Sequence, residues 1–178
     1  MAVSDPDSSQ GPLAEFAALR SEREMRYQRQ HQYHTLYLTA TAVIFSFALT
    51  RKELVGLLLV VPVIAYVLLG RMTAQHFADL QIGTYIASEL SPRVPGGLAW
   101  EDWTRRHKRP GRWLNWLLPL LLTFPGGGTV ALAWTYRYVF TDASVVGRTG
   151  LIALWLLDAI AVGACCYLIY RQRRPQEA

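Results

Sequence analysis

Cysteine is scarce in this sequence: the two that occur are adjacent, Cys165 and Cys166. Neighbouring residues on a helix point in different directions, so a disulfide between them is not expected and both are interpreted as small packing residues. Because they lie inside an apolar block, they are also unsuited to a Cys/His catalytic site. No Ser/His/Asp arrangement is suggested, and Gly126 to Gly128 lack the following lysine of a phosphate-binding loop. The sequence therefore predicts neither an enzyme nor a cofactor.

The N-terminal 34 residues lack the apolar segment of a signal peptide. Residues 1–12 are short, polar and rich in helix breakers, and they are predicted to form a disordered tail. Residues 13–34 contain no proline or glycine and are rich in helix formers. We expect them to form a cytoplasmic helix that continues without a break into the first membrane span.

Apolar residues make up 52% of the 178-residue chain and are collected in blocks, unlike the amphipathic pattern of a soluble domain. Four blocks are predicted to span a membrane, as two hairpins covering residues 35–70 and 113–170. The predicted fold class is therefore an all-α integral membrane protein of four transmembrane helices with cytoplasmic helical extensions. Pro62 is expected to kink the second span near its middle or to loosen one hydrogen bond, and the proline- and glycine-rich third span is expected to be irregular.

Residues 71–112 form a long polar stretch between the two predicted hairpins. Its first part continues the helix of the second span, and Ile82, Ile86 and Leu90 give it an apolar seam at steps of four. The cluster of breakers at 91–97 is expected to end this helix. The natural partner for the seam is the helix predicted over residues 13–34.

Tryptophans beside a basic cluster follow that helix, a pattern typical of a segment in the headgroup layer of a membrane. The formal net charge of +5 is compatible with nucleic acid or with anionic lipid, but the basic residues adjoin apolar blocks, which favours lipid. No nucleic-acid partner is therefore predicted. The expected lipid-interface residues are Trp100, Trp103, Arg105, Arg106, Lys108, Arg109 and Arg112.

The distribution of basic residues predicts the orientation. Of the 18 Lys and Arg, 14 lie in the N-terminal segment, the central stretch and the tail 171–178, and the two intervening turns hold four. By the positive-inside rule, both termini and residues 71–112 are expected in the cytoplasm of a cell whose inner or plasma membrane contains the protein.

Small and hydroxylated residues form a stripe on the first span, at steps of four, three, four and four. Such a face lets two membrane helices approach closely, and Ala159 with Gly163 forms a small-xxx-small pair on the fourth span. We expect these residues to pack helices together, within a homo-oligomer. The stripe comprises Thr35, Thr39, Ala42, Ser46 and Thr50.

Asp158 is the acidic residue placed well inside a predicted span. A carboxylate there is costly unless it is protonated, paired or facing water. Its depth matches Gly126, Gly127 and Gly128, where a broken backbone would expose amides or carbonyls. These four residues are predicted to form a proton or cation site or a polar plug. The structural alternative is a protonated Asp158 that bonds across helices, to Thr123, Thr129 or Ser46.

Three histidines fall at similar depths beside the predicted spans. His31, His34 and His76 would converge there with Asp79 or Glu24, either as a zinc site or as a pH-sensitive contact. Their spacing lacks a metal-site signature, and histidines next to a membrane are ordinary interface residues. No metal is therefore predicted.

The pattern Gly83-x-Tyr85-Ile86-x-x-Glu89-x-x-Pro92-Arg93, followed by Trp100-Glu101-x-Trp103, resembles one in small actinobacterial membrane proteins of unknown function. The long N-terminal helix leading into a two-span hairpin is also similar to SLATT-type membrane effectors of bacterial defence systems. That second resemblance covers residues 13 to about 90 in architecture alone, and this chain departs from it by adding a second hairpin. It implies an oligomer that breaches the membrane when a partner signals, and it implies no functional residue.

Three functions remain open from the sequence. The first is a homo-oligomeric pore or membrane effector whose cytoplasmic helices sense a partner. The second is a small transporter, proton- or cation-coupled, with Asp158 and the irregular third span forming its site. The third is a non-conducting adaptor that uses residues 71–112 to dock a cytoplasmic protein.

Overall fold

The computed structural model describes residues 7–94, 97–98, 103, 106–107, 112–142 and 145–173. Within these ranges every regular element is a helix and there are no strands, which confirms the all-helical class. Four helical stretches are long and apolar enough to cross a membrane, and each overlaps one of the predicted spans. They are Gln10–Thr50, Lys52–Arg93, Leu117–Thr141 and Arg148–Gln172.

The first helix, α1, runs from Asp7 to Thr50 over 44 residues. The predicted continuity between the N-terminal helix and the first span is therefore present. The helix begins six residues before the predicted start, so residues 7–12 of the predicted disordered tail are helical, while residues 1–6 lie outside the described residues. Pro12 lies in the second turn, where its missing N–H removes one backbone hydrogen bond without ending the helix.

The second apolar stretch changes helix type shortly before its proline. Arg51 is extended (φ −135°, ψ 111°), Lys52–Leu59 is a 3₁₀-helix, and helix α2 covers Val60–Tyr85. Pro62 lies in the first turn of α2, directly after the 3₁₀-helix, and it has no N–H to donate to the carbonyls of that preceding turn. The kink expected at Pro62 stays a prediction.

The breaker cluster at 91–97 ends the second helix as predicted. Helix α2 passes into a π-helical turn at Ile86–Leu90 and a 3₁₀ turn at Ser91–Arg93. Gly97 has a φ of +70°, a conformation that favours glycine, and its N–H donates to the Val94 carbonyl at 2.8 Å. The Ser91 hydroxyl accepts the Leu98 N–H at 2.8 Å, so Leu98 is held against the end of the helix.

The third apolar stretch is irregular, as its prolines and glycines predict. Helix α3 (Arg112–Leu121) leads into a π-helical turn at Leu122–Gly126, which is followed by helix α4 (Gly127–Arg137). A second π-helical turn covers Tyr138–Asp142, and helix α5 covers Val145–Arg173. Pro125 has no N–H for the Leu121 carbonyl four residues earlier, which explains a local change of hydrogen-bond register at this turn.

The described residues form two compact units. The first consists of those within 1–31 and 74–110, and the second of those within 32–73 and 111–178. In the first unit Arg23 Nε donates to Asp79 Oδ1 at 2.7 Å, and the Tyr85 hydroxyl donates to Glu15 at 2.7 Å. The N-terminal part of α1 therefore packs along the segment predicted as its partner.

The predicted apolar seam of the first unit is buried at two of its three positions. Ile86 and Leu90 are fully buried, and Ile82 is half-buried. Each fully buried aliphatic side chain contributes about 1.5–3 kcal/mol by leaving water. The two buried positions of the seam therefore contribute to the stability of the first unit.

The core of the second unit is built around an aromatic pair. Tyr37 stacks on Phe124 with ring centroids 4.6 Å apart, and both side chains are fully buried. The Tyr37 hydroxyl donates to the Phe124 carbonyl at 3.4 Å, so its polar end is not left without a partner. The surrounding core residues are Ala48, Leu58, Val61, Ala65, Leu69, Ala131, Cys165 and Ile169.

Candidate functional site

One face of α5 forms a buried seam in the second unit, with positions at alternating steps of three and four. This spacing keeps the seam on one side of a helix that packs closely against its neighbours. Asp158 lies on the seam and is wholly inaccessible to solvent. The positions are Trp155, Asp158, Val162, Cys165, Ile169 and Gln172.

Two contacts with α4 fix the surroundings of Asp158. One turn before it, Trp155 Nε1 donates to the Leu132 carbonyl at 3.1 Å. One turn after it, Val162 lies so close to Gly128 that a Cβ built on the glycine would be 2.9 Å from Val162 Cγ2. Asp158 therefore lies level with residues 128–132 of α4, beside two helices that approach closely.

The carboxyl group of Asp158 has no hydrogen-bond partner among the residues that the structure describes. Of the three partners considered from the sequence, Thr129 donates instead to the Pro125 carbonyl at 2.7 Å, and Ser46 is exposed. Thr123 is half-buried and does not bond to Asp158 either. The structural alternative of an interhelical hydrogen bond to one of these residues is therefore not supported.

An unpartnered carboxyl group in this position is costly. A buried neutral polar group without a hydrogen bond costs about 1–3 kcal/mol, and an ionised carboxylate costs far more. The group is therefore stable only with a proton, a bound cation or water beside it. A proton, a cation and a water molecule can each bind to the Asp158 carboxyl group and leave it again.

Of the three glycines predicted to accompany Asp158, Gly128 lies against Val162, one turn after Asp158 on α5, and the predicted broken backbone is not present. Gly126 and Gly127 have ordinary helical angles, and the irregularity is a π-helical turn instead of an unwound segment. A Cβ on Gly126 would lie 3.1 Å from the Leu121 carbonyl oxygen, and one on Gly127 would lie 2.6 Å from the Tyr37 hydroxyl. A side chain at Gly126 or Gly127 would collide with these oxygen atoms, so the two glycines allow the close contacts.

Two carbonyls of the π-helical turn at Leu122–Gly126 accept hydrogen bonds from side-chain hydroxyl groups. Tyr37 donates to the Phe124 carbonyl, and Thr129 donates to the Pro125 carbonyl. Both carbonyls therefore already accept a hydrogen bond from a residue other than Asp158. The expectation that this backbone offers free groups to the carboxylate is not met at these two positions.

A buried polar pair between Gln172 of the same seam and Thr73 of α2 was not predicted. Near the C-terminal end of α5, Gln172 Nε2 donates to the Thr73 hydroxyl at 2.7 Å, and Thr73 donates to the Leu69 carbonyl at 2.8 Å. Both side chains are buried. The signal in the sequence is that Gln172 falls in step with Asp158, fourteen residues later, which is four turns of helix or about 21 Å.

The predicted packing stripe on the first span does not pack within the chain. Thr35, Thr39 and Ser46 are exposed, as are Ala42 and Thr50, whereas Tyr37 and Ala48 form the buried face. On α5, Ala159 is half-buried, and a Cβ on Gly163 would meet no atom within 4 Å. The stripe therefore remains a predicted contact with a second molecule.

The predicted lipid-interface segment is described in part. Trp103 is exposed and stacks on His107, with ring centroids 4.5 Å apart, and Arg106 is exposed. Arg112 begins α3. Four of its predicted members, Trp100, Arg105, Lys108 and Arg109, lie outside the described residues.

The histidines form separate contacts. His31 meets the Tyr27 ring edge-on, His34 meets the Phe124 ring edge-on, and His76 lies in the first unit near Asp79. Burial lowers the pKa of His76, an effect that the Asp79 carboxylate partly offsets. Across the part of the chain that the structure describes, no group of three or more His, Cys, Asp and Glu is arranged to hold a metal.

No protein-family model, no curated protein and no solved structure matches this chain.

Proposed function

We propose that this four-span membrane protein binds a proton or a small cation at Asp158 and transports it. The observation that carries the proposal is the wholly buried carboxyl group of Asp158, which has no partner among the described residues. Four helices long and apolar enough to cross a membrane are compatible with a small membrane protein. The proposal assigns no enzymatic reaction to it.

The chemistry of an acid inside a membrane supports transport over a purely structural role. A group that only holds helices together gains its stability from hydrogen bonds. Asp158 makes none with the described residues, so it lowers stability in the absence of an exchangeable partner. Acids in membrane spans typically mark ion pathways and proton relays.

The proposal includes a topology for the four helices. The helices would form two hairpins with both termini and residues 71–112 in the cytoplasm, because 14 of the 18 Lys and Arg would then lie on that side. The protein would reside in an inner or plasma membrane with anionic lipids at the basic segment.

A homo-oligomeric pore or effector is the second candidate, and the exposed hydroxyl stripe on α1 favours it. A stripe turned away from its own core is free to meet the same stripe of a second copy. In such an assembly Asp158 would lie inside each copy and not along a shared central channel, since it faces α4 of its own chain. The two candidates therefore differ in whether conduction requires Asp158.

Ion flux into liposomes containing the purified protein tests the proposal. Proton uptake is followed with a trapped pH-sensitive dye, and Na⁺ and K⁺ uptake with ion-sensitive dyes. Asp158→Asn retains the shape but does not titrate, and Asp158→Leu removes the polar group. We expect both variants to fold and to lose flux, with Asp158→Leu at least as stable as the wild type because no hydrogen bond is lost.

Glu53→Gln is the matched control, since it removes an exposed carboxylate outside the buried seam. It should leave flux unchanged. Full flux in both Asp158 variants would refute the site and favour the oligomeric pore. An absence of flux from the wild-type protein would refute transport and leave the adaptor function.

A further inference from the structure

The first unit contains a cavity of about 900 Å³. It is lined by α1 between Phe16 and Gln30, by the second helix between His76 and Ile86, and by Gly97 with Leu98. Its volume falls in the range of about 300–1,000 Å³ typical of small-molecule sites. This cavity is separate from Asp158, which belongs to the second unit.

Most charges on the cavity wall are already paired. Arg23 binds Asp79 through two hydrogen bonds, Nε to Oδ1 at 2.7 Å and Nη2 to Oδ2 at 3.3 Å. Arg26 Nε donates to Glu22 at 3.1 Å. These pairs neutralise Arg23 and Arg26, two of the three arginines among the described residues of the cavity wall.

Among the described residues of the cavity wall, two of opposite charge remain, Arg20 and Glu24. Neither forms an ion pair with a residue that the structure describes, and both are exposed, so they lie at the rim. They are one helical turn apart, which places their Cβ atoms about 5–6 Å from each other. A purely anionic ligand would be repelled by Glu24, and a purely cationic one by Arg20.

The remaining lining is largely apolar or neutral. Phe16, Tyr27, Ile86 and Leu98 supply aromatic and aliphatic surface, and Leu98 is anchored by the Ser91 hydroxyl. His76 also lines the cavity, and its buried Nε2 has no hydrogen-bond partner among the described residues. The cavity therefore combines an apolar interior, one unpartnered ring nitrogen and a rim that carries both signs of charge.

We propose that this cavity binds an α-amino acid with a large apolar side chain. Arg20 receives the ligand's carboxylate, Glu24 receives its ammonium group, and the apolar side chain lies against Phe16, Tyr27 and Leu98. An α-amino acid carries both charges on one carbon, which suits a pair of side chains one helical turn apart.

Isothermal titration calorimetry on the full-length protein in detergent micelles tests this with four probes. Phenylalanine has both charges and an apolar body, 3-phenylpropionate lacks the ammonium group, 2-phenylethylamine lacks the carboxylate, and glycine lacks the apolar body. We expect saturable binding of phenylalanine, and affinities weaker by about tenfold or more for the other three.

Three variants identify the contacts. Arg20→Gln and Glu24→Gln should each weaken phenylalanine binding by about tenfold. Glu24→Gln should also bring the affinities for phenylalanine and 3-phenylpropionate closer together, because the variant lacks the carboxylate that repels the anionic ligand. Arg29→Gln is the control, since Arg29 is an exposed arginine of the same helix that does not line the cavity.

The proposal is overturned if phenylalanine does not bind saturably. It is also overturned if Arg20→Gln and Glu24→Gln bind phenylalanine as tightly as Arg29→Gln does. Equal binding of phenylalanine and 3-phenylpropionate by the wild type would remove the role of Glu24 and with it the amino-acid assignment. Circular dichroism of each variant confirms that the helices are intact.

Discussion

Gly128→Ala tests how closely α4 and α5 are packed beside Asp158. A Cβ at this position would lie 2.9 Å from Val162 Cγ2 and 3.6 Å from the Pro62 Cα. Valine is stiff at χ1 in a helix, so its methyl group cannot swing aside, and the Pro62 backbone lies behind the same space. The added methyl group must therefore push the helices apart.

The expected size of the effect follows from two opposing contributions. Overpacking a close contact costs about 1–3 kcal/mol. Replacing glycine by alanine inside a helix gains about 0.5–1 kcal/mol from backbone entropy. Gly150→Ala in α5 provides the matched control, because a Cβ there meets no atom within 4 Å and only the gain remains. The difference between the two variants isolates the overpacking cost.

Thermal unfolding in detergent, followed by circular dichroism, measures that difference. For a chain of this size each kcal/mol corresponds to about 2–4 °C in Tm. We expect Gly128→Ala to unfold several degrees below Gly150→Ala. Adding Val162→Ala to Gly128→Ala should recover part of the loss, since it removes the methyl group that clashes. If Gly128→Ala is as stable as Gly150→Ala, the helices do not approach as described and the burial of Asp158 loses its basis.

Two further predictions concern the first unit and the topology. Ile86→Asp should prevent stable folding, because it places a charge at a fully buried position of the apolar seam. Leu80→Asp, on the exposed face, should be tolerated. Equal expression and equal unfolding temperature for the two variants would show that the seam is not a packing surface. In a variant without its native cysteines, a cysteine at Glu53 should react with a membrane-impermeant reagent from outside intact cells, and one at Ala87 only after permeabilisation; labelling of position 87 from outside would reverse the proposed orientation.

Periodicity and breakers in the sequence were sufficient for the course of the helices. The absence of proline and glycine over residues 13–34 predicted the continuous α1, and the breakers at 91–97 predicted where the second helix ends. The 3₁₀-helix before Pro62 was not predictable in the same way, because Lys52–Leu59 could by composition equally have continued as α-helix.

Which face of each long apolar helix is buried could not be read from hydrophobicity. Lipid and protein interior are equally apolar, so an exposed Phe47 and a buried Ala48 carry no distinguishing signal. The hydroxyl stripe of α1 was expected to pack, yet the buried face of the chain is the one that carries Tyr37 and Ala48. Asp158 was an exception, since a carboxyl group in an apolar span is identifiable by its cost alone.

The residues that line the cavity of the first unit could not be identified from the sequence. Arg20, Glu24 and His76 are ordinary surface-type residues in the sequence, and 52 positions separate the last two. Only the packing of α1 along the second helix, through Arg23 and Asp79, brings them to one space. Sequence spacing predicted that these segments are partners, but not that they leave a cavity between them.

The second unit contains a polar residue whose removal should stabilise it. Asp158→Leu replaces an unpartnered carboxyl group by a side chain that suits the surrounding helices, with an expected gain of about 1–3 kcal/mol. Stabilising substitutions often cost function where activity needs a destabilised site. A variant that becomes more stable and loses ion flux would link the two properties to the same group, because a residue that serves only packing cannot improve one and abolish the other.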